Sequence, residues 1–470
     1  MKRIIRWVVL VIGNLILGKA LLAEVRLPAI ISNHMVLQQH SQVNIWGWCE
    51  PGEKISLRTS WDTVSYHTTG NSSAKFSLKI QTPAAGGPYR IFIHGQNDIT
   101  LDDVLIGEVW LCSGQSNMEM SYSWGIKRYT ADIEQANQTR IRLFHIPKLT
   151  AAWPQDNTQG YWVVCNPEDM KTFSLAGYFF GKKLQEVLSC PVGLIEASWG
   201  GTPAEVWTPG DLVTRDPALH KAADSLQVSE YWPSGPGLTF NAMIHPLTGY
   251  KIAGAIWYQG ESNTGTASTY HRLFSTMIRA WRQRWGSEFP FYFVQIAPFS
   301  GYSGITGALL QEAQTQTLSL PHTGMVVISD LVDDVTNIHP RDKKDVGYRL
   351  ADLALTETYH KEGFPSEYPS YQGMKIENSR IRVTLGGTSG GLVCKGPEVT
   401  GFYLAGKDRK FYPAEARIDG STLWVSSPRV ADPVAVRYDF TNTAIPNLFG
   451  GDGLPVNGFR TDDWDGILTP

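Results

Sequence analysis

The chain has 470 residues, a formal net charge of -3 at pH 7 and a hydrophobic content of 42%. This length predicts two or three domains. The small net charge gives no sign of a nucleic-acid-binding surface or of a disordered acidic tail. The five cysteines do not have the spacing of a metal site, and their odd number leaves at least one free thiol. A disulfide between Cys165 and Cys190 is an alternative that the sequence does not decide. The five are Cys49, Cys112, Cys165, Cys190 and Cys394.

Residues 1–23 have the layout of a secretory signal peptide. Lys2, Arg3 and Arg6 form a basic start, residues 7–17 are mostly apolar, and Ala23 is a small residue at the expected cleavage point. The apolar stretch is too short to span a bilayer comfortably. We therefore expect a secreted or periplasmic protein without a stable membrane span.

Residues 24–104 predict an N-terminal domain of short β-strands. Polar and apolar residues alternate at 43–48, 54–58, 75–80 and 89–93, with turn signals at 50–52 and 85–88 between them. Alternation with a period of two is typical of strands that bury one face. Short strands at this spacing predict a small β-sandwich.

Residues 105–365 alternate predicted strands with predicted helices. After an apolar strand that ends near Gly114, buried strands are predicted at residues 192–195, 252–257, 291–296 and 325–328. Helices are predicted at residues 175–188, 270–285, 309–317 and 342–358. This alternation predicts an α/β domain with a doubly wound parallel sheet.

Ser116 lies where the first of these strands gives way to a helix. The apolar run Val109–Cys112 stops at Gly114, and residues with helical character follow. The carboxyl edge of an open α/β sheet is where such folds place their chemistry. The start of a helix also presents free backbone N–H groups to an oxyanion. Ser116 is therefore a candidate nucleophile that needs a base.

Two polar clusters follow other predicted strands of the same sheet. Residues 197–202 contain paired glycines that allow a close backbone approach, so the Gly201 N–H is a candidate oxyanion donor. In residues 257–263, the Gln259 amide is a second candidate donor, and Glu261 is a candidate acid for orienting a histidine. A plain turn and a solvated loop are the alternative interpretations of these two clusters.

His339 is the best-placed base among the 11 histidines. It follows the predicted strand at 325–328, and Pro340 suits the first position of the next helix. A helix start disfavours the imidazolium and so keeps the ring able to accept a proton. His245 is a weaker candidate because no helical pattern begins after it, and a merely hydrogen-bonding loop histidine is the alternative for His339.

Residues 366–470 return to β structure. Clear strands are predicted at 380–385, 423–426 and 435–438. We expect this C-terminal β region to pack on the N-terminal domain. The fold would then be an α/β core with an accessory β-sandwich region formed from both terminal segments.

Four motifs occur in order along the chain. They are Gly-Gln-Ser-Asn-Met at 114–118, Trp-Gly-Gly-Thr at 199–202, Gln-Gly-Glu-Ser-Asn at 259–263 and Asn-Ile-His-Pro at 337–340. With the ending Gly-Phe-Arg-Thr-Asp-Asp-Trp at 458–464, which is typical of bacterial members, they resemble the SGNH-hydrolase superfamily and its sialate O-acetylesterase branch. The resemblance covers nearly the whole mature chain.

The resemblance implies an SGNH esterase domain at residues 105–365 with Ser116 as nucleophile and His339 as general base. The oxyanion hole would be formed by the backbone N–H groups of Ser116 and Gly201 and by the Gln259 side chain. The residues expected to bind substrate beside these groups are Gln115, Asn117, Trp199 and Asn263. No metal or organic cofactor is implied.

The identity of a third catalytic member stays open. Many SGNH enzymes carry an aspartate three residues before the histidine, where this chain has Thr336. Glu261 is slightly favoured over Asp334 and Asp330. A serine–histidine dyad oriented by a carbonyl group is the alternative.

The expected function is that of a secreted serine esterase that removes O-acetyl groups from sialic acid through an acetyl-serine intermediate. Its partner would be an O-acetylated sugar or glycan. Arg142, Arg215 or Arg341 near the pocket favours sialate, whereas an open aromatic cleft favours a plant polysaccharide such as xylan or xyloglucan. A non-catalytic carbohydrate-binding protein is the alternative from another class.

Overall fold

The computed structural model describes residues 24–388 and 390–464. The predicted signal peptide at residues 1–23 lies outside the described residues. Among the helices that the structure describes, none is long and apolar enough to cross a membrane.

The N-terminal region forms two mainly antiparallel layers around a shared core, and its first strand runs parallel to its last. Its strands are β1 (Val36–Gln38), β2 (Gln42–Trp48), β3 (Lys54–Thr59), β4 (Ser65–Thr69), β5 (Lys75–Gln81), β6 (Gly86–His94) and β7 (Asp98–Gly114). Strand β2 pairs with β5, and β4, β3, β6 and β7 pair in that order. Inward-facing residues of both layers, such as Ile45 and Leu57, belong to one hydrophobic core. The four predicted strands are confirmed, because alternate burial produces the period-two pattern.

The central region alternates strands and helices. Its strands are β8 (Ile141–His145), β9 (Trp162–Val164), β10 (Val192–Ser198), β11 (Gly254–Tyr258), β12 (Phe291–Val294) and β13 (Thr323–Val326). Its helices are α1 (Ser116–Glu119), α2 (Thr130–Glu134), α3 (Pro167–Met170), α4 (Leu175–Leu188), α5 (Gly210–Arg215), α6 (Pro217–Asp224), α7 (Ala267–Trp285), α8 (Thr306–Gln316) and α9 (Lys343–Glu357). The four predicted helices are confirmed as α4, α7, α8 and α9.

Short helical turns complete this region. The 3-10 turns are Tyr122–Trp124, Lys127–Tyr129, Ala204–Trp207, His245–Leu247, Glu261–Thr266, Thr317–Ser319 and Ser329–Leu331, and Phe240–Ile244 is a π-helical turn. Three of them follow central strands: Ala204–Trp207 after β10, Glu261–Thr266 after β11 and Ser329–Leu331 after β13. The loops at the carboxyl edge of the sheet therefore contain regular helical turns.

The central sheet has the strand order β13-β12-β11-β7-β10-β8-β9. All neighbouring strands are parallel except the pair β8–β9. After β7 the chain adds β8 and β10 on one side and then β11, β12 and β13 on the other. The carboxyl end of β7, where Ser116 follows, is therefore at the switch point of the sheet, the usual place for a ligand site in this architecture.

Helices cover both faces of the central sheet. Trp110 and Cys112 of β7 belong to the core that contains residues of α4 and α9. Val109 and Leu111 belong to the core that contains residues of α7 and α8. Because successive residues of a strand face opposite sides, β7 is buried on both faces, as a parallel strand in a doubly wound sheet must be.

Strand β7 is shared by the N-terminal and central regions. It is 17 residues long. Its first part pairs with β6, and its last part pairs with β10 and β11. The predicted boundary between residues 104 and 105 therefore falls inside one continuous strand.

The C-terminal region forms antiparallel sheets with a separate core. Its strands are β14 (Ser370–Glu377), β15 (Arg380–Gly386), β16 (Leu392–Cys394), β17 (Phe402–Ala405), β18 (Phe411–Pro413), β19 (Glu415–Asp419), β20 (Thr422–Ser426), β21 (Ala435–Tyr438), β22 (Leu448–Gly450) and β23 (Phe459–Arg460). They pair in the orders β14-β15-β20-β19 and β18-β17-β21-β23, with β16 beside β22. The three strands predicted from the sequence lie in β15, β20 and β21.

The C-terminal region contacts helix α8 of the central region. Arg460 forms a salt bridge of 2.7 Å with Glu312, and Phe440 packs with Ile305 and Ala308. We predicted that these contacts would lie on the N-terminal domain, with both terminal segments in one sandwich. The prediction fails because the N-terminal strands share β7 and its core with the central sheet, whereas the C-terminal strands bury their apolar residues among themselves.

Candidate active site

Ser116 is fixed by the sharp turn at the end of β7. Gly114 has φ +143°, and a Cβ atom there would lie 2.2 Å from the carbonyl oxygen of Tyr258 on the neighbouring strand. Only glycine fits so close to another backbone. Ser116 is the first residue of α1 and is 9% exposed. Its backbone N–H belongs to the first turn, where helical N–H groups have no intrahelical acceptor.

His339 meets Ser116 across the sheet edge. The distance between His339 Nε2 and Ser116 Oγ is 2.9 Å. His339 lies in the loop between β13 and α9, and its backbone N–H donates to Asn337 Oδ1 at 3.0 Å. The Trp124 ring stands edge-on to the imidazole with the ring centroids 5.7 Å apart. The structure therefore places the predicted nucleophile and the predicted base within hydrogen-bonding reach.

The environment of His339 favours a neutral ring. Burial and the nearby Lys343 ammonium lower the pKa of His339 below its ordinary value. We predicted a neutral ring from a helix that begins at Pro340. That reason is wrong, because α9 begins at Lys343 and its N-cap is Asp342, whose side chain accepts the Asp345 N–H. The expected charge state thus has a different cause.

None of the three candidate acids contacts His339. Among the described residues, no carboxylate oxygen lies within 4.0 Å of either ring nitrogen. Asp330 forms a salt bridge of 2.7 Å with Arg349. Asp334 accepts a hydrogen bond of 2.6 Å from Thr336 Oγ1, which with the Thr336 N–H lowers the pKa of Asp334. The imidazole therefore has no carboxylate partner in the part of the chain that the structure describes.

Glu261 is also engaged elsewhere. Its Oε1 atom accepts a hydrogen bond from Asn117 Nδ2. Burial raises the pKa of Glu261, while the Asn117 hydrogen bond and Lys343 oppose that shift. The prediction that Glu261 orients His339 directly is wrong, because the carboxylate points to the residue that follows the nucleophile.

The loop after β10 approaches the nucleophile closely. A Cβ atom on Gly200 would lie 3.2 Å from Ser116 Cβ. Gly201 has φ +80°, and a Cβ atom there would lie 2.3 Å from Trp232 Cδ2. The Gly200 N–H donates to Glu119 Oε2, and the Gly201 carbonyl accepts from Ser262 Oγ at 2.9 Å. The loop is thus held on both sides next to Ser116.

Comparison with known sequences identifies the family. The model of the family "Carbohydrate esterase, sialic acid-specific acetylesterase" matches residues 106–356, which is more than half of the chain. The chain belongs to this family. As a member of a carbohydrate esterase family it is a carboxylic ester hydrolase, an acetylesterase of sugars, which replaces the alternative of a non-catalytic carbohydrate-binding protein.

Individual relatives agree with this membership. The sialate O-acetylesterase of Homo sapiens is 30% identical over 385 residues, which cover 73% of this chain and 73% of the human protein. That of Mus musculus is 30% identical over 409 residues, covering 73% of this chain and 75% of the mouse protein. The solved structure of a carbohydrate acetylesterase from Xanthomonas citri has a TM-score of 0.86 and 34% identity, and covers 94% of this chain and 100% of its own.

In this acetylesterase, Gln259 cannot serve as the predicted oxyanion donor. Gln259 is fully buried. Its Nε2 atom donates to Asn263 Oδ1 at 2.7 Å and to the Thr202 carbonyl at 3.3 Å, so both amide hydrogens are used. Its Oε1 atom accepts from Tyr270 Oη at 2.8 Å. The prediction is wrong because the Gln259 side chain points inward, where Asn263, Thr202 and Tyr270 satisfy its polar atoms.

Asn263 and Gln115 hold loops together instead of facing a substrate. Asn263 is fully buried, accepts the Ala204 N–H at 2.9 Å and donates to Glu205 Oε2 at 2.8 Å. Gln115 Oε1 accepts the N–H groups of Gly260 and Ser262, each at 3.3 Å. The predicted substrate-binding role of Asn263 is therefore wrong, and Gln115 contributes to the junction between α1 and the loop after β11.

The other two predicted substrate-binding residues differ in accessibility. Asn117 is fully buried and has hydrogen-bond partners on every side, so it cannot reach a sugar. Trp199 is half-buried, and its Nε1 atom donates to the carbonyl of the exposed Tyr231 at 3.2 Å. Only Trp199 of this pair remains available for contact with a substrate.

Four residues of the site were not predicted from the sequence. They are Glu119, Trp124, Trp232 and Lys343. Trp124 follows the nucleophile by one short loop, and Lys343 is four residues after His339, so proximity in sequence was an available signal for both. Nothing in the sequence linked Trp232 or Glu119 to the glycine loop. Within the described residues, no group of three or more metal-ligating side chains is present.

Replacing Glu119 with alanine is expected to lower kcat about ten-fold, since small displacements near reacting groups are costly. Glu119 Oε2 holds the Gly200 N–H, and its Oε1 atom pairs with Lys148 Nζ at 2.6 Å. Steady-state kinetics on p-nitrophenyl acetate measures the effect. The control Lys148→Met removes only a half-exposed ion pair worth little. Equal losses in both variants would show that the ion pair, and not the hold on Gly200, matters.

Proposed function

We propose that this protein is an SGNH-type serine esterase that removes O-acetyl groups from sugars through an acetyl-Ser116 intermediate. The observation that carries the proposal is the 2.9 Å contact between Ser116 Oγ and His339 Nε2 at the switch point of the parallel sheet. Family membership supports the acetyl ester as the bond that is cleaved. The lowered pKa of His339, caused by burial and by Lys343, supports its role as the base.

The proposed reaction begins when His339 Nε2 takes the proton of Ser116 Oγ as that oxygen attacks the acetyl carbonyl carbon. The backbone N–H groups of Ser116 and Gly201 stabilise the resulting oxyanion, a task that requires fixed donors. His339 then protonates the sugar oxygen that leaves. In the second half, His339 takes a proton from a water molecule as its oxygen attacks the acetyl carbonyl carbon. The bond between that carbon and Ser116 Oγ then breaks, His339 returns the proton to Ser116 Oγ, and acetate leaves. Because no carboxylate oxygen of the described residues contacts the ring, the proposed mechanism uses Ser116 and His339 as a dyad.

O-acetylated sialic acid is the first candidate substrate. Sialate O-acetylesterases are among the relatives, and an acidic sugar calls for a cation near the nucleophile. Arg341 is exposed and only two residues from His339. Arg142 is buried and paired with Asp103, and Arg215 lies on the surface helix α5. Arg341 is thus the arginine that fits this role.

An acetylated neutral polysaccharide is the second candidate. A cavity of about 540 Å³ lies beside the glycine loop and is lined by Gly201, Trp232, Ser262 and Tyr302, with further uncharged residues. No charged side chain of the described residues lines it. Hydroxyl groups and aromatic rings suit a neutral sugar, because rings stack on the apolar faces of pyranoses.

Acetate release from a panel of substrates tests both the activity and the substrate class. Acetylated sialosides, acetylated xylo-oligosaccharides and acetylated xyloglucan fragments are compared by kcat/KM. If Arg341 binds the sialate carboxylate, Arg341→Met raises KM for sialosides about ten-fold relative to neutral sugars. A preference for neutral sugars that Arg341→Met leaves unchanged supports the polysaccharide. Rapid quenching followed by mass spectrometry should show acetylation of the peptide that contains Ser116.

We further propose that the protein is secreted or periplasmic. The support is the sequence pattern of residues 1–23, with a basic start, an apolar centre and Ala23. N-terminal sequencing of the protein isolated from its native compartment checks this. A mature chain that begins near Glu24 is the expected result, and an intact Met1 in the cytoplasmic fraction contradicts it.

A further inference from the structure

In the part of the chain that the structure describes, no carboxylate fixes the imidazole of His339. In serine hydrolases with a triad, the acid holds the base in position. Here no carboxylate oxygen of the described residues comes within 4.0 Å of the ring nitrogens. The backbone around His339 is therefore held by other contacts, and one of them comes from Asn117, the residue that follows the nucleophile.

Asn117 is hydrogen-bonded on both ends of its amide. Its Nδ2 atom donates to the carbonyl oxygen of Ile338 at 3.1 Å and to Glu261 Oε1. Its Oδ1 atom accepts from Lys343 Nζ at 2.6 Å. The side chain is fully buried. Both amide hydrogens and the amide oxygen are thus occupied, and one of the three bonds ends on the residue just before His339.

The partners of Asn117 include an acidic and a basic side chain that are both buried. Lys343 is fully buried, with its ammonium 4.8 Å from the centre of the Tyr258 ring, and Glu261 is 6% exposed. Burial raises the pKa of Glu261 and lowers that of Lys343 to about 7. Removing two ionisable groups from water costs free energy, so a buried pair of this kind is weak evidence that the pair stabilises the fold. Their arrangement around one amide instead fixes its orientation from two sides.

We propose that Asn117, held between Glu261 and Lys343, is a positioning residue that sets the distance between Ser116 and His339. The amide connects three elements: α1, which carries the nucleophile; the loop after β11, which carries Glu261; and the start of α9, which carries Lys343. The inference rests on the proposed function, because it assumes that Ser116 and His339 do the chemistry. Asn117 itself touches neither the substrate nor the reacting atoms.

Asn117→Ala tests the proposal. We expect kcat for p-nitrophenyl acetate to fall about 100-fold with KM little changed, because a displacement of about 1 Å between reacting groups has that effect. The matched control is Asn166→Ala. Asn166 is the N-cap of α3 and accepts the Glu168 and Asp169 N–H groups, so its loss reduces stability away from the site. A kcat for Asn117→Ala within two-fold of the wild-type value overturns the proposal.

Glu261→Gln separates positioning from acid catalysis and keeps the proposal testable if Asn117→Ala does not fold. Glutamine retains an oxygen that accepts from Asn117, so we expect kcat within about ten-fold of wild type. If the carboxylate itself assisted His339, the amide would lower kcat about 10⁴-fold. That larger loss overturns the proposal.

Lys343→Met adds a readout that a purely structural lysine would not change. Lys343 is the charged group that lowers the pKa of His339, alongside burial. Without that charge, the acid limb of kcat/KM is expected to move to higher pH, in addition to a fall in kcat. If the acid limb does not shift and kcat stays at the wild-type value, the proposed arrangement of Asn117, Glu261 and Lys343 is contradicted.

If Ser116→Ala remains active, the proposed function fails as a whole. An inactive Ser116→Ala together with a fully active Asn117→Ala contradicts only this inference.

Discussion

Ser116→Ala is expected to lower kcat for acetyl ester hydrolysis on the order of 10⁶-fold, the scale seen when a serine hydrolase loses its nucleophile. The reason is that His339 Nε2, 2.9 Å from Ser116 Oγ, then has no hydroxyl to deprotonate. The oxyanion donors remain, so a small residual rate above that in water should persist. Acetate release from p-nitrophenyl acetate and from an acetylated sugar measures the loss.

Ser113→Ala is the matched control for this variant. Ser113 lies on the same strand and is fully buried, and its hydroxyl donates to the Ala197 carbonyl at 2.6 Å. Losing that bond should cost stability by about 1 kcal/mol with little effect on kcat. Wild-type turnover in Ser116→Ala, measured with Ser113→Ala in parallel, would end the proposal of an acetyl-serine mechanism.

His339→Ala is expected to reduce kcat by a similar factor, because the serine and histidine act as one unit. The control is His245→Ala. The His245 ring bonds to the Gln155 carbonyl at 2.9 Å, away from the nucleophile, so its activity should stay near that of the wild type. A large loss in the control and none in His339→Ala would assign the base to His245.

The activity of the wild-type enzyme should also report the charge of His339. The base must be neutral, so kcat/KM is expected to be full above the pKa of His339 and to be lost as the pH falls through it. Burial and Lys343 lower that pKa, so the midpoint should lie below the ordinary value of about 6.5. A profile of kcat/KM between pH 4 and pH 9 tests the sign. A midpoint above 7 would require a carboxylate next to the ring.

The nucleophile and base were predictable because they depend on local patterns. Ser116 follows an apolar strand and a glycine, and His339 follows another strand of the same sheet. Parallel strands bring their carboxyl ends to one edge, so topology places both residues on that edge. Strands β11 and β12 lie between β7 and β13, and the loop before α9 brings His339 to Ser116. The same argument predicted the glycine loop around Gly201.

The argument failed for residues whose side-chain direction matters. Gln259, Glu261 and Asn263 also follow a buried strand, and the sequence correctly placed them at the same edge. Their side chains point inward, where Gln259 bonds to Asn263 and Glu261 to Asn117. A residue's position on a sheet edge does not determine whether its polar atoms face a ligand or another loop.

The sequence by itself determined the alternating strands, the long helices and the serine and histidine at one sheet edge, because periodic burial and turn residues act over short stretches of chain. Only the tertiary structure decided that no carboxylate of the described residues meets His339, that Asn117 joins Glu261 to Lys343, and that the two terminal β regions have separate cores. These features depend on contacts between residues far apart in the chain. Burial forces each polar group to find the partner that packing brings near, and no local pattern specifies which partner that is.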